Sequence, residues 1–251
     1  MSLRWVYQES GYMFSLFLTP QWFKGYDLLF EGVSLIIALL IASYSWRIYS
    51  INAEKKYAYF SLAFFLVGLA FLFKMLTQGV VYYTSWRNVA TAVLEPVVGR
   101  NVSLQINYSD LFYRCGFFLY MVTMLGAWLL IFFNSQKKED RLRKYYEVSQ
   151  IALFLYLILL ISIVSNFKYT VFYLTSSVIL SLTVLNYYKN YLNTRRNWNA
   201  FMVMLSFLLI LLSNLCLIFV FIFEGFYVVG ELLLLAGFLL LLYTYRKIIG
   251  K

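Results

Sequence analysis

Seven stretches of this chain are apolar over the length that a lipid bilayer demands of a helix. A hydrocarbon core about 30 Å thick is crossed by about 20 residues at about 1.5 Å each. Runs of that kind fall at Asp27–Tyr49, Tyr57–Gly79, Leu111–Phe133, Tyr146–Ser165, Tyr169–Tyr191, Trp198–Phe223 and Phe226–Tyr245. Inside lipid no water satisfies an open backbone, so such runs fold as helices with their hydrogen bonds internal. The expected fold is all-α: a polytopic membrane protein with seven transmembrane helices. The connections Asn166-Phe167-Lys168 and Glu224-Gly225 are short, but without them the flanking runs would be far too long for single spans.

With 251 residues, seven spans of ~22 residues leave too little chain for a soluble kinase, nucleotide-binding or other catalytic domain. Only 13% of the residues are charged, about half the share usual in a soluble domain. Residues 12–18 are apolar but short, and Thr19-Pro20-Gln21-Trp22 lacks the small residues of a signal cleavage site. Residues 1–26 therefore read as an external tail lying partly on the membrane surface. Residues 27–251 read as the membrane domain, with an external loop at about 80–110.

Basic residues set the orientation. The connections after the first, third and fifth spans, with the C-terminal segment, hold fourteen of the 21 Lys and Arg. The other side holds Arg4, Lys24, Arg87, Arg100, Arg114 and Lys168, while Lys74 lies inside the second span. The positive-inside rule then places the N-terminus outside and the C-terminus in the cytoplasm of a cell-membrane protein. The basic side also carries the whole net charge of +10. Two glycosylation sequons, at Asn101 and Asn107, fall in the expected external loop and agree with this orientation. Aromatic groups at the span ends (Trp22, Phe23 and Tyr26; Tyr82, Tyr83 and Trp86; Tyr187, Tyr188 and Tyr191; Tyr243 and Tyr245) suit the depth of lipid headgroups.

Ionisable groups inside a span are costly, so they mark candidate sites. Glu31, Lys74 and Glu231 lie at a similar depth in the outer third of the first, second and seventh spans. On the first, Asp27, Glu31, Ser34, Ala38, Ala42 and Ser45 follow helical steps and form one polar and small stripe. On the second, Ala63, Val67, Ala70, Lys74 and Gln78 do the same, and Tyr227 or Val228 shares a face with Glu231 on the seventh. Asp110 and Arg114 could join the rim of an outward-facing polar vestibule above an apolar cytoplasmic half. Three readings of the trio stay open: a ligand or ion site, an ion-paired staple, or charges that snorkel to the outer surface. Thr175, Ser176, Ser177 and Ser181 with Ser213 and Asn214 form a second polar group near mid-membrane, expected to hydrogen-bond between helices.

Other chemistry is narrowed by absence. There is no histidine and there are only two cysteines, Cys115 and Cys216, without metal-ligand spacing. No metal site, no cofactor and no catalytic residue is expected, because no nucleophile–base pair is visible. Seven spans with an external N-terminus are similar in topology to microbial rhodopsins, but Phe226–Tyr245 has no lysine to hold retinal. Small seven-helix sugar transporters are similar in length, but their proline-bearing helices have no counterpart: Pro20 and Pro96 lie outside the spans. No nucleic acid is expected as a partner, since no room remains for a folded basic surface.

Membrane lipid is one expected partner, and a protein on the cytoplasmic side or in the membrane is another. The segment Lys137, Lys138, Arg141, Arg143 and Lys144 is the candidate docking site. The function expected is a receptor or sensor-like protein that signals through a separate partner. A structural or accessory subunit and a small-solute or ion transporter or channel are the alternatives.

Overall fold

Every apolar run whose residues are described forms a helix. The computed structural model describes residues 19–83, 85–86, 88–89, 108–136 and 169–249. Its helices are α1 (Tyr26–Asn52), α2 (Lys55–Tyr82), α3 (Tyr108–Ser135), α4 (Tyr169–Asn193), α5 (Trp198–Ile218) and α6 (Gly225–Ile249), with short 3-10 turns at Gln21–Phe23 and Phe219–Phe221. Six helices are thus long and apolar enough to cross a membrane, and no strand occurs among the described residues. The protein is a multi-pass helical bundle of the membrane type. The run Tyr146–Ser165 lies outside the described residues, as do Lys137, Lys138, Arg141, Arg143, Lys144, Asn101 and Asn107.

The helices close into a ring in which α1 touches α2 and α6, and the order α2, α3, α4, α5, α6 completes the circuit. Two ends of the bundle are defined by residues: one carries Asp27, the other Arg246. α1 starts at the Asp27 end and α2 returns to it, since the Tyr82 hydroxyl donates to Asp27 Oδ2 at 2.8 Å. α3 starts there too, with Gly116 against Thr77. α4 also starts there, with its Phe172 ring 5.2 Å from that of Tyr120. At the other end Asn186 of α4 donates to Ser135 of α3 at 3.0 Å. α3 and α4 therefore run in the same direction, as do α1 and α6, whereas the other adjacent pairs are antiparallel.

Turn chemistry explains the tightest connections. α1 ends at Ala53, whose left-handed backbone (φ 52°) lets its N–H bond Tyr49 O at 2.8 Å. Arg195 and Arg196 are both left-handed between α4 and α5, and Asn197 caps α5 by accepting the N–H of Asn199 at 3.0 Å.

Apolar burial does not draw helices together in lipid, so packing and interhelical hydrogen bonds must. All six stripe residues of α1 are buried, and so are all five of α2. Small side chains there let the backbones approach, and two hydroxyls then reach across: Ser61 donates to Ala42 O at 2.8 Å and Ser45 to Tyr57 O at 2.9 Å. Between α5 and α6 glycine does the same work. A Cβ at Gly237 would stand 2.8 Å from Ile210 Cγ1 and 3.0 Å from the Ser206 carbonyl, and one at Gly230 would stand 2.9 Å from Leu217 Cγ.

The aromatic ends divide into two groups. Trp22, Tyr26, Tyr83, Trp86, Tyr188 and Tyr243 are exposed, as rings at a headgroup boundary should be. Phe23 and Tyr245 instead turn inward: Phe23 meets Tyr227 edge-on at 6.1 Å, and Tyr245 stacks on Phe60 at 5.1 Å. Tyr187 likewise stacks on Phe207 at 4.8 Å.

Candidate functional site

Three helices bring their ionisable groups to one point. Lys74 Nζ donates to Glu231 Oε1 at 2.8 Å and lies 2.8 Å from Glu31 Oε1. The second contact is an ion pair without hydrogen-bond alignment, and Glu31 accepts no other hydrogen bond among the described residues. The three side chains are 0–1% exposed. The stripes bring this about: α1 and α2 turn their small faces toward each other, and the ring closure of α6 onto α1 delivers Glu231. A lysine this deep needs its carboxylates, because an unpaired buried charge would lose far more hydration than packing returns.

One helical turn toward the Asp27 end lies a second polar layer. Gln78 follows Lys74 by one turn on α2, Tyr227 precedes Glu231 by one turn on α6, and Asp27 precedes Glu31 by one turn on α1. The Tyr227 ring centre is 5.8 Å from Lys74 Nζ, an attractive cation–π distance. The Tyr227 hydroxyl and both amide atoms of Gln78 are buried with no hydrogen-bond partner. Tyr120 of α3 and Tyr173 of α4, both buried, share a hydrogen bond.

Asp27 behaves differently from the trio. Its Oδ1 accepts the N–H of Gly25 at 2.8 Å and of Leu28 at 3.0 Å, while Oδ2 accepts Tyr82. The first turn of a helix also favours a negative charge. Asp27 is thus buried yet fully answered, and the Tyr82 hydroxyl is also 3.2 Å from Thr19 Oγ1. Tyr82 thus joins Asp27 and Thr19, and the Phe23 and Tyr227 rings meet edge-on at the same end of the bundle. Arg114 is half-buried near the start of α3, and the side chain of Asp110 lies outside the described residues.

The second polar group does not do what the sequence led us to expect. Asn214 donates to Ile210 O at 2.9 Å and Thr175 to Val171 O at 2.8 Å, both within their own helices. The hydroxyls of Ser176, Ser177 and Ser213 are buried without a partner. A short polar side chain reaches the carbonyl one turn back more easily than a neighbouring helix. Here these residues act as small ones, and Ser213 sits where Gly230 of α6 comes close.

Both cysteines are free, and no group of three metal-ligating side chains occurs among the described residues. The Tyr120–Tyr173 pair carried no sequence signal, since tyrosines are abundant at span ends. Tyr227 had one, its four-residue spacing from Glu231. No protein-family model, no curated protein and no solved structure matches this chain.

Proposed function

We propose that this protein is a seven-helix membrane receptor or sensor in which Glu31, Lys74 and Glu231 form a lock joining α1, α2 and α6. Its output is passed to a separate protein partner. The observation that carries this reading is a single buried lysine bridging carboxylates from two other helices. Such a bridge has discrete states, made or broken, and so it can bias a bundle between two arrangements. Support for a seventh crossing comes from the parallel run of α3 and α4, because the chain joining them has to return along the bundle. The Asp27 end is then external and the Arg246 end cytoplasmic, as the basic residues indicate. The basic segment Lys137, Lys138, Arg141, Arg143 and Lys144 is the proposed docking site for the partner.

The accessory-subunit reading is favoured by one fact, the complete burial of the trio, which suits a permanent staple. Spin-label distances separate the two. With Cys115 and Cys216 replaced by alanine, labels at the exposed Ile51 of α1 and Tyr243 of α6 report the spacing of these helices. A lock predicts one distance population in the parent and a second, well-populated one in Lys74→Met or Glu31→Gln. A single unchanged population in both variants, with only lower thermal stability, would sink the sensor reading.

A further inference from the structure

The trio holds two carboxyl groups and one ammonium, all within 2.8 Å contacts and all shielded from solvent. Ionised together they leave one negative charge over. Asp27 does not share in this imbalance, because the helix start, two N–H groups and Tyr82 already answer it. Among the described residues, Tyr227, whose ring lies 5.8 Å from Lys74 Nζ, and the buried Tyr120 and Tyr173 are phenols and bring no formal charge.

Beside this surplus charge stand unused ligands. Glu31 Oε2, Gln78 Oε1 and the Tyr227 hydroxyl are buried and unpartnered. They come from α1, α2 and α6, and Gln78 and Tyr227 are each about 6 Å along their helices from the ion pair. Water would satisfy the amide and the phenol, but it would leave the charge. A carboxylate, an amide carbonyl and a phenol oxygen are hard donors, the type that binds alkali and alkaline-earth cations in place of their hydration water. One surplus charge selects a monovalent ion, and the lack of any three-acid cluster among the described residues argues against a divalent one.

We propose that Glu31, Gln78 and Tyr227 bind a dehydrated monovalent alkali cation of sodium size next to the Lys74 ion pair. The site deepens the receptor reading, on which it rests for its role: the cation fixes the closed lock by completing its charge balance. Its binding is tested separately from that role.

The purified full chain is melted in detergent at constant ionic strength and at each of several pH values, with sodium chloride replacing N-methyl-D-glucamine chloride in steps. A saturable rise in Tm with sodium is expected. Tyr227→Phe, which keeps the ring packing, shifts the sodium midpoint at least tenfold higher, and Glu31→Gln abolishes the sodium effect while leaving a neutral Lys74–Glu231 pair. Equal Tm in both salts overturns the proposal. So does a Tm that responds to pH alone, since the balancing charge is then a proton. Sodium stabilisation that persists unchanged in both variants also overturns it, by placing the cation elsewhere. The spin-label experiment makes no use of sodium binding, so a null titration leaves the receptor reading standing, and the reverse holds too.

Discussion

Two seams of this bundle join α6 to its neighbours in opposite ways. Toward α1 and α2 the contact is made by charge: Lys74 against Glu31 and Glu231. Toward α5 it is made by the absence of side chains, at Gly230 and Gly237 against Leu217, Ile210 and Ser206. The first seam is strong only while all its members are present, because each charge is tolerable only in the company of the others. The second depends on no partner chemistry, only on space. A membrane bundle can therefore be held tightly by either device, but only the ionic one can be opened by changing a single charge.

The comparison is tested hardest at Lys74. Lys74→Met strands two buried carboxylates, and chemical or thermal unfolding should show a loss of about 3–5 kcal/mol. Adding Glu31→Gln and Glu231→Gln to it should recover most of that loss, since a neutral seam of similar volume needs no counter-charge. If the triple variant is as unstable as Lys74→Met, the seam is held by shape and the contrast fails. At the other seam, Gly237→Val drives a branched side chain into Ile210 and the Ser206 carbonyl, and overpacking should lower stability by about 1–3 kcal/mol. A neutral result there would mean that α5 and α6 are free to slide apart. The smallest effect belongs to the hydroxyls: Ser61→Ala removes a bond to Ala42 O and should cost about 0.6 kcal/mol, typical of polar contacts in a membrane bundle. Ser177→Ala should be near neutral in the same assay, because its hydroxyl has no partner to lose.

The ionic seam was legible before any coordinates, because helical steps from Asp27 and from Ala63 place polar and small residues on one face, and lipid cannot receive such a face. The depth of Lys74 against Glu31 and Glu231 followed from counting residues along oppositely directed spans. What could not be read was which of the boundary aromatics turn inward. Phe23, Tyr82 and Tyr245 resemble boundary aromatics in one dimension, and only ring positions around the bundle separate them from Trp22 or Tyr83, which do face outward. The glycine seam had a signal that passed unread: Gly230 and Gly237, like Ser206 and Ser213, are one heptad apart, the repeat of closely packed helices. The serines near mid-membrane misled for a different reason, since residue type alone does not say whether a hydroxyl bonds its own helix or another.

The pairing of Lys74 with Glu231 spans 157 residues of chain. At common rates of synthesis, that separation corresponds to roughly ten to thirty seconds on the ribosome. During this interval α1 and α2 already supply Glu31 and Lys74, so the part of the trio made so far is electrically even. Only the helix made last of those described introduces the additional acid. The finished protein is thus harder to neutralise than its own half-made precursor, and the arrival of Glu231 is the moment at which cellular surveillance could first tell the two apart.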